Sequence, residues 1–590
     1  MTNPALANLP EWDLSDLYPS RTSAELTEDL EKAAEDAKQF AANYKGKLGE
    51  LDGQGLYLAI SHFEEIGELQ GRIMSYAYLV YAGNMSDPEI GKFFQTMQEK
   101  VNAISTDLLF LTLELNKSDE DALAQMYAES SLKKYEPWIR NVRALKPYQL
   151  SDEIEKLLHE KDIAGRSAWV RLFDETIAGM RFEVDGEEMA SQQILHLLSS
   201  KDGEMRKKAA KNLGKVFGEN VRLFSLITNT LAKDKAIEDE WRGVANPADM
   251  RHLSNQVEPE VVDALSAAVQ ASYPRLSHRY YQLKARWMGQ EKLDYWDRNA
   301  PLPEEDDRII PWNEARDTVL DAYGRFSPEL SELGRKFFEN PWIDASVRPG
   351  KSPGAFAHPT VPSAHPYLLL NYQGNTRDVM TLAHELGHGV HQLLAAPQGG
   401  LLSDTPLTLA ETASVFGEQL TFRALLEQQT DPSKRRVMLA GKVEDMLNTV
   451  VRQIAFYEFE KRLHNARKKE ELSPDQIGKI WMGVQTESLG PAIRLHDEYQ
   501  YFWCYIPHFV HSPFYVYAYA FGDCLVNALY AVYQDAETGF QEKYFDMLKA
   551  GGTLRHKELL APFNLDASDP SFWSKGLSVI EGFIDELEAL

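Results

Sequence analysis

The run TLAHELGHGVHQLL at residues 381–394 holds three histidines, His384, His388 and His391, and one glutamate, Glu385, among residues that otherwise suit a helix core. His384 and His388 are four positions apart, so on a helix they share one face and their imidazoles can converge on a single Zn2+. Glu385 lies beside them, where its carboxylate can reach a water held by such a metal. A catalytic zinc site takes three protein ligands and leaves one position open, so the pair needs a third. His391 is two turns from His384, roughly 10 Å of rise, and reads as a supporting or packing histidine. The longer H-E-x-x-H-x-x-G-x-x-H arrangement is excluded, because His391 stands where its glycine belongs and Leu394 where its ligand belongs. The third ligand must therefore lie elsewhere. Downstream, SDTPLTLAETASVFGEQLTFRALLEQ (403–428) offers Asp404, Glu411 and Glu418.

These residues need elements to hold them. Asn375 with Asp378 three positions on marks a helix start, and the helix should run to about residue 394. At about 100° per residue, Val379, Leu382, Leu386, Val390 and Leu393 gather on one face and the three histidines on the other. The chain then turns near Pro397, Gly399 and Gly400, and 403–428 reads as a second helix that could bring Glu411 back alongside the first. Glu418, two turns further, could hydrogen-bond a ligand histidine. Ahead of the motif, HPYLLLNYQGN (365–375) reads as a short strand, either structural or offering an edge to an extended peptide. The Pro- and Gly-rich stretch 341–366 reads as a long loop. GMRFEVDGEEMA (179–190) alternates around an Asp-Gly pair and predicts a hairpin.

Helical periodicity over 23–44, 55–83, 86–115, 151–161, 189–236, 258–288 and 313–339 makes the chain mainly α, and its 590 residues exceed what one hydrophobic core usually holds, so more than one lobe is expected. A net charge of −27 argues against nucleic acid or an anionic membrane as partner. The two cysteines, Cys504 and Cys524, allow neither a disulfide framework nor a Cys-ligated zinc site. The N-terminus carries neither a basic region nor an apolar one, as a signal peptide would. The most apolar stretch, 505–533, is broken by Pro507, His508, His511, Pro513 and Asp523, a poor membrane span. A cytoplasmic protein is expected; the sequence sets no oligomeric state.

TLAHELGHGVHQLL followed by LAETASVFGEQL, with HPYLLLNYQGNTRDV, GRSAWVRLFDE (165–175) and IPHFVHSPFYVYAYAFG (506–522), resembles the M3 family of zinc metallopeptidases in its oligoendopeptidase F branch, from about residue 10 to the C-terminus. The resemblance implies a two-lobed helical peptidase with a deep substrate channel and a small β element beside the metal-binding helix. It divides the chain into a helical N-terminal lobe (1–115), an oligopeptidase F-like linking region (116–200) and a catalytic domain (201–590). It implies His384, His388 and Glu411 as ligands of one Zn2+ per chain and Glu385 as the base that takes a proton from water and passes it to the leaving amine. It also implies that a histidine and tyrosines from the C-terminal part stabilise the oxyanion. His508, His511, Tyr515, Tyr517 and Tyr519 are available; His508, Tyr515 and Tyr519 are the candidates, the two tyrosines being one turn apart. The substrates would be short peptides cut at internal bonds. Two readings compete: an exopeptidase releasing terminal dipeptides, needing a charged clamp from Arg298, Lys351 or Arg377, and a non-catalytic helical peptide-binding protein.

Overall fold

Apolar periodicity becomes helix where the sequence places it, and local breakers decide the ends. The computed structural model describes residues 6, 8–162, 164–302, 308–352, 354–536 and 538–590. Residues 1–5 and 7, part of the stretch from which the absence of a signal peptide is read, lie outside the described residues. Ala24–Tyr44, Gly53–Gly83 and Pro88–Leu108 are helices, started by Ser23, Asp52 and Asp87, whose side chains accept first-turn backbone N–H groups. The third was expected to reach residue 115; it stops at Leu108 and resumes as Phe110–Lys117. Three other long stretches also divide. The 189–236 stretch becomes Ser191–Leu197 and Gly203–Arg242, the second capped by Asp202. The 258–288 stretch becomes Pro259–Ser272 and Ser277–Trp287, around Pro274. The 313–339 stretch breaks at Ser327-Pro328 into Trp312–Phe326 and Pro328–Glu339. Proline has no N–H to donate and disfavours helix in the residue before it, which explains the last two breaks.

Strands among the described residues are short: β1 (Phe182–Val184), β2 (Glu187–Met189), β3 (Leu293–Asp294), β4 (Ile343–Asp344), β5 (Phe356–His358), β6 (Tyr367–Leu369) and β7 (Ile493–Arg494). No helix among the described residues is long and apolar enough to cross a membrane.

The chain forms two compact units. One comprises Met1–Lys146, Asp307–Gln428 and Val532–Asn564; the other comprises Pro147–Asp306, Gln429–Ala531 and Leu565–Leu590. In the first, N-terminal helices enclose a core around Phe40, Ile60 and Leu111, and a second cluster joins Leu17, Tyr76 and Leu79 to Tyr367 of β6. Its sheet has the order β4-β6-β5, with β4 parallel and β5 antiparallel to β6. Two sequence expectations change here. The stretch 341–366, expected as a loop, supplies β4 and β5, and HPYLLLNYQGN supplies the central, buried β6, so the edge strands are β4 and β5.

In the second unit β1 and β2 form the expected antiparallel hairpin, with Asp185 and Gly186 both at positive φ in its two-residue turn. The helix Gly203–Arg242 runs 40 residues, and Phe456, Phe459, Trp481 and Phe509 form an aromatic core.

Lys351 ties the first unit's sheet together. Its Nζ, buried, donates to Asp344 Oδ1 (2.7 Å) and to the carbonyls of Asp344 (3.0 Å), Ser346 (2.7 Å) and Leu370 (2.6 Å). It is therefore committed to structure and is no clamp for a peptide terminus. Arg298 is engaged by Tyr499, and Arg377 remains exposed in the first turn of its helix. Lys351→Met leaves several buried acceptors without their donor and should destabilise the protein by about 3 kcal/mol, read as a lower midpoint in guanidinium unfolding.

Candidate active site

The helix that carries the histidines spans Thr376–Ala395 and begins in a capping box. Asn375 Oδ1 accepts from the N–H of Asp378 at 3.0 Å, and Asp378 Oδ2 accepts from that of Asn375 at 3.2 Å. Val379, Leu382, Leu386 and Val390 are fully buried. His384 and His388 come off another face, their ring centres 5.0 Å apart.

The segment expected as a second continuous helix is broken. Leu407–Ala410 ends at Glu411, and the helix restarts as Ser414–Gln428. The break frees Glu411 from the helical path, and Ser414 Oγ, donating to Glu411 Oε2 at 2.7 Å, fixes its carboxylate. That oxygen lies 3.4 Å from His384 Nε2 and 3.5 Å from His388 Nε2. Tetrahedral zinc with bonds of about 2.1 Å separates its donors by about 3.4 Å, so two imidazoles and a carboxylate in this arrangement fit the ion in chemistry and spacing. Among the described residues, His384, His388 and Glu411 are the one group of three such side chains that could hold a metal ion.

The other candidates fall outside that group. Asp404 is exposed. Glu418 Oε2 accepts from His384 Nδ1 at 3.2 Å, which turns Nε2 toward Glu411. His391 is 6 % exposed, its Nε2 3.4 Å from Thr405 Oγ1.

Electrostatics mark the place as one that attracts a cation. Burial disfavours a charge on His384, but the hydrogen bond to Glu418 and the charges of Glu411 and Glu385 outweigh it and raise the imidazole to about 9. Burial takes His388 down to about 4. Glu411 is pushed up by burial but held below the usual carboxylate range by His388, His384 and Ser414. Glu385, 7 % exposed, is raised to about 7 by burial, against the lowering effect of His384 and of a backbone hydrogen bond from Ala357 on β5. Three glutamates thus surround two imidazoles, an excess of negative charge that a dication matches.

In the other unit, His508 lies on the short helix His508–His511, Tyr515 in the turn after it and Tyr519 in the first turn of the helix Tyr517–Asp535. His508 Nε2 lies 3.3 Å from Tyr519 Oη, and the Tyr515 ring centre is 6.1 Å from that of His508 and 5.3 Å from that of Tyr519. These three form one partly exposed cluster. Tyr517 and His511 do not join it. Tyr517 is buried, its hydroxyl accepting from Asn255 Nδ2 at 2.9 Å, and His511 Nε2 pairs with Asp174 at 2.7 Å.

Residues 196–579 match the family described as peptidase family M3, and residues 114–182 match the one described as oligopeptidase F. The chain belongs to peptidase family M3. As an M3 peptidase it is a metallopeptidase that acts on peptides. It is 26% identical to oligopeptidase PepF of Bacillus subtilis over 98% of this chain and 87% of that one. It is 25% identical to an oligoendopeptidase F homolog of Borreliella burgdorferi, over 98% of both. The fold matches oligoendopeptidase-F from Enterococcus faecium with a TM-score of 0.71 at 23% identity, covering 96% of this chain and 98% of that one. A solved structure of a peptidase from Chlamydophila abortus matches with a TM-score of 0.86 at 21% identity, covering 98% of both.

Three contributors to this M3 site escape a sequence reading. Ser414 is signalled only by its place three residues after Glu411, and the N–H of Ala357 by nothing in the sequence. Gly387, between the two histidines, is the third: a Cβ there would stand 2.5 Å from the carbonyl oxygen of Ala413 and 2.7 Å from Cα of Ser414. Gly387→Ala must push the 411–414 corner away from the imidazoles. The expected result is a loss of about 1–3 kcal/mol in unfolding free energy, with weaker retention of zinc on dialysis than the wild type shows.

Proposed function

We propose that this M3 peptidase is a zinc oligoendopeptidase, with one Zn2+ per chain held by His384, His388 and Glu411, that hydrolyses internal bonds of short peptides. The observation that carries the reading is the convergence of both imidazole Nε2 atoms on Glu411 Oε2 at 3.4 and 3.5 Å, with Glu385 next to His384 on the same helix. A bound Zn2+ supplies a Lewis acid that polarises the scissile carbonyl and lowers the pKa of a water to about 7. Glu385 takes the proton of the attacking water on its carboxylate and returns it to the leaving nitrogen. Burial raises the affinity of that carboxyl for a proton, which favours its taking one from water. The N–H of Ala357 orients that carboxyl group, Ser414 holds Glu411 and Glu418 sets the tautomer of His384. The edge strand β5, whose Ala357 touches Glu385, is where an extended peptide would pair through its backbone, a mode that tolerates varied side chains. His508, Tyr515 and Tyr519 supply donors to the developing oxyanion.

In the same reading, the chain comprises an N-terminal lobe (1–115), a linking region (116–200) and a catalytic domain (201–590). It works in the cytoplasm, in keeping with two buried free thiols, and uses neither nucleic acid nor membrane as partner.

Metal analysis with mass-spectrometric mapping of cuts in a peptide mixture tests the reading. Wild type should carry about one zinc and cut internal bonds. Glu385→Gln should keep the zinc and lose about a thousandfold in kcat. Cuts confined to chain ends, or full activity in Glu385→Gln, would overturn the assignment. A separate comparison addresses the third ligand: Glu411→Ala should bind zinc at least about tenfold more weakly, while Asp404→Ala should match wild type. Equal retention in both would remove Glu411 from the ligand set.

A further inference from the structure

The segment GRSAWVRLFDE (165–175) has no part in the chemistry above, yet its helix, Arg166–Gly179, lies against the short helix His508–His511 within one unit. Arg166 Nη2 donates to the carbonyls of both Val510 (3.2 Å) and His511 (2.6 Å). From the same helix, Asp174 accepts from His511 Nε2 at 2.7 Å. Two further side chains hold the next residues. Arg251 Nε donates to the carbonyl of Pro513 at 3.2 Å, with its guanidinium 5.7 Å from the centre of the Tyr515 ring. Buried Glu460 accepts from the N–H of Phe514 at 2.8 Å. Phe514 sits at φ +60°, a region few non-glycine residues adopt, and leads directly into Tyr515. The turn 510–514 is thus held by side chains from three helices.

Apolar packing alone does not fix this turn. A cavity of about 370 Å3, lined by Phe173, Phe224, Phe459, Trp503, Phe509 and Phe514, borders it. Charged side chains, Arg166, Arg251 and Glu460 among them, line the same cleft, so on that side polar contacts take part in setting where the backbone rests.

We propose that Arg166 is a positioning residue: by bridging the carbonyls of Val510 and His511 it fixes the turn from which His508, Tyr515 and Tyr519 meet the substrate. The inference rests on the role proposed above for those three. Arg166 touches no reacting atom; it acts through the backbone that carries them. A shift of about 1 Å in such groups can cost about a hundredfold in rate without affecting the metal ligands.

The test uses the full-length protein with an internally quenched peptide, measuring kcat, KM and zinc content. Arg166→Ala should lower kcat about ten- to hundredfold with KM within about threefold of wild type and zinc content unchanged. Arg166→Lys should recover much of the loss, because an ammonium can also bridge two carbonyls. Arg171→Ala, on the same helix but exposed and paired with Glu175 at the surface, is the control and should match wild type. Combined with Tyr519→Phe, Arg166→Ala should cost less than the product of the single losses, the sign that one acts through the other. Losses that multiply, or a kcat for Arg166→Ala within about twofold of wild type while Tyr519→Phe is impaired, would overturn the clamp and leave the zinc peptidase reading intact. Wild-type kcat in His508→Ala, Tyr515→Phe and Tyr519→Phe alike would remove the role of the aromatic cluster and the clamp with it. Should Arg166→Ala fail to fold, Arg166→Gln carries the test, and a kcat within about twofold of wild type overturns the proposal.

Discussion

A carboxylate has to meet two imidazoles that stand one helical turn apart, and it comes from a segment that follows the second of them after 22 intervening residues. Much of the first unit is arranged around that meeting. The histidine helix must approach the Glu411 corner with backbone almost touching backbone, which the missing side chain of Gly387 permits. The corner itself must leave the helical path so that Glu411 can turn inward, hence the break between Leu407–Ala410 and Ser414–Gln428. On another side of the helix, a Cβ at Gly389 would lie 2.6 Å from the Phe337 ring, so Pro328–Glu339 also sits at the limit of contact. Close packing from two directions leaves the imidazoles little freedom, as a site that discriminates among metal geometries needs.

The same closeness concentrates charge. Glu385, Glu411 and Glu418 lie around two histidines in a region largely withdrawn from water, which without compensation would be costly. Compensation comes from the Ser414 hydroxyl, the backbone N–H of Ala357 and the proton on His384, each pointing at a carboxylate. The small sheet contributes directly, since β5 delivers the Ala357 N–H. The buried Lys351–Asp344 pair, with its bonds to the carbonyls of Ser346 and Leu370, holds β4 and β6 beneath it. That ion pair thereby supports the sheet whose strand β5 orients Glu385.

The second unit solves a different problem. Five histidines and tyrosines between residues 508 and 519 are similar in type, and the fold sorts them by partner. Tyr517 is anchored by Asn255 and His252, and His511 by Asp174, leaving His508, Tyr515 and Tyr519 clustered at the surface. The turn between the two helices is held by Arg166, Arg251 and Glu460 beside a cavity, so polar contacts set its position where packing is incomplete.

The sequence by itself determined what is local. Asn375 and Asp378 start the histidine helix, the four-residue spacing of His384 and His388 puts them on one face, the Asp-Gly pair makes the β1–β2 hairpin, and a polar chain with two cysteines excludes a disulfide framework. Each follows from dihedral preference, periodicity or composition within a few residues. Tertiary structure alone decided that Glu411 meets both imidazoles while Glu418 meets His384 alone and Asp404 stays exposed, that β6 is central and β5 an edge, that Lys351 is buried in the sheet, and that Arg166 belongs with a turn more than three hundred residues away. No window of sequence encodes these, because each depends on which segments share space once apolar surface is buried, and on which polar groups must then find partners away from water.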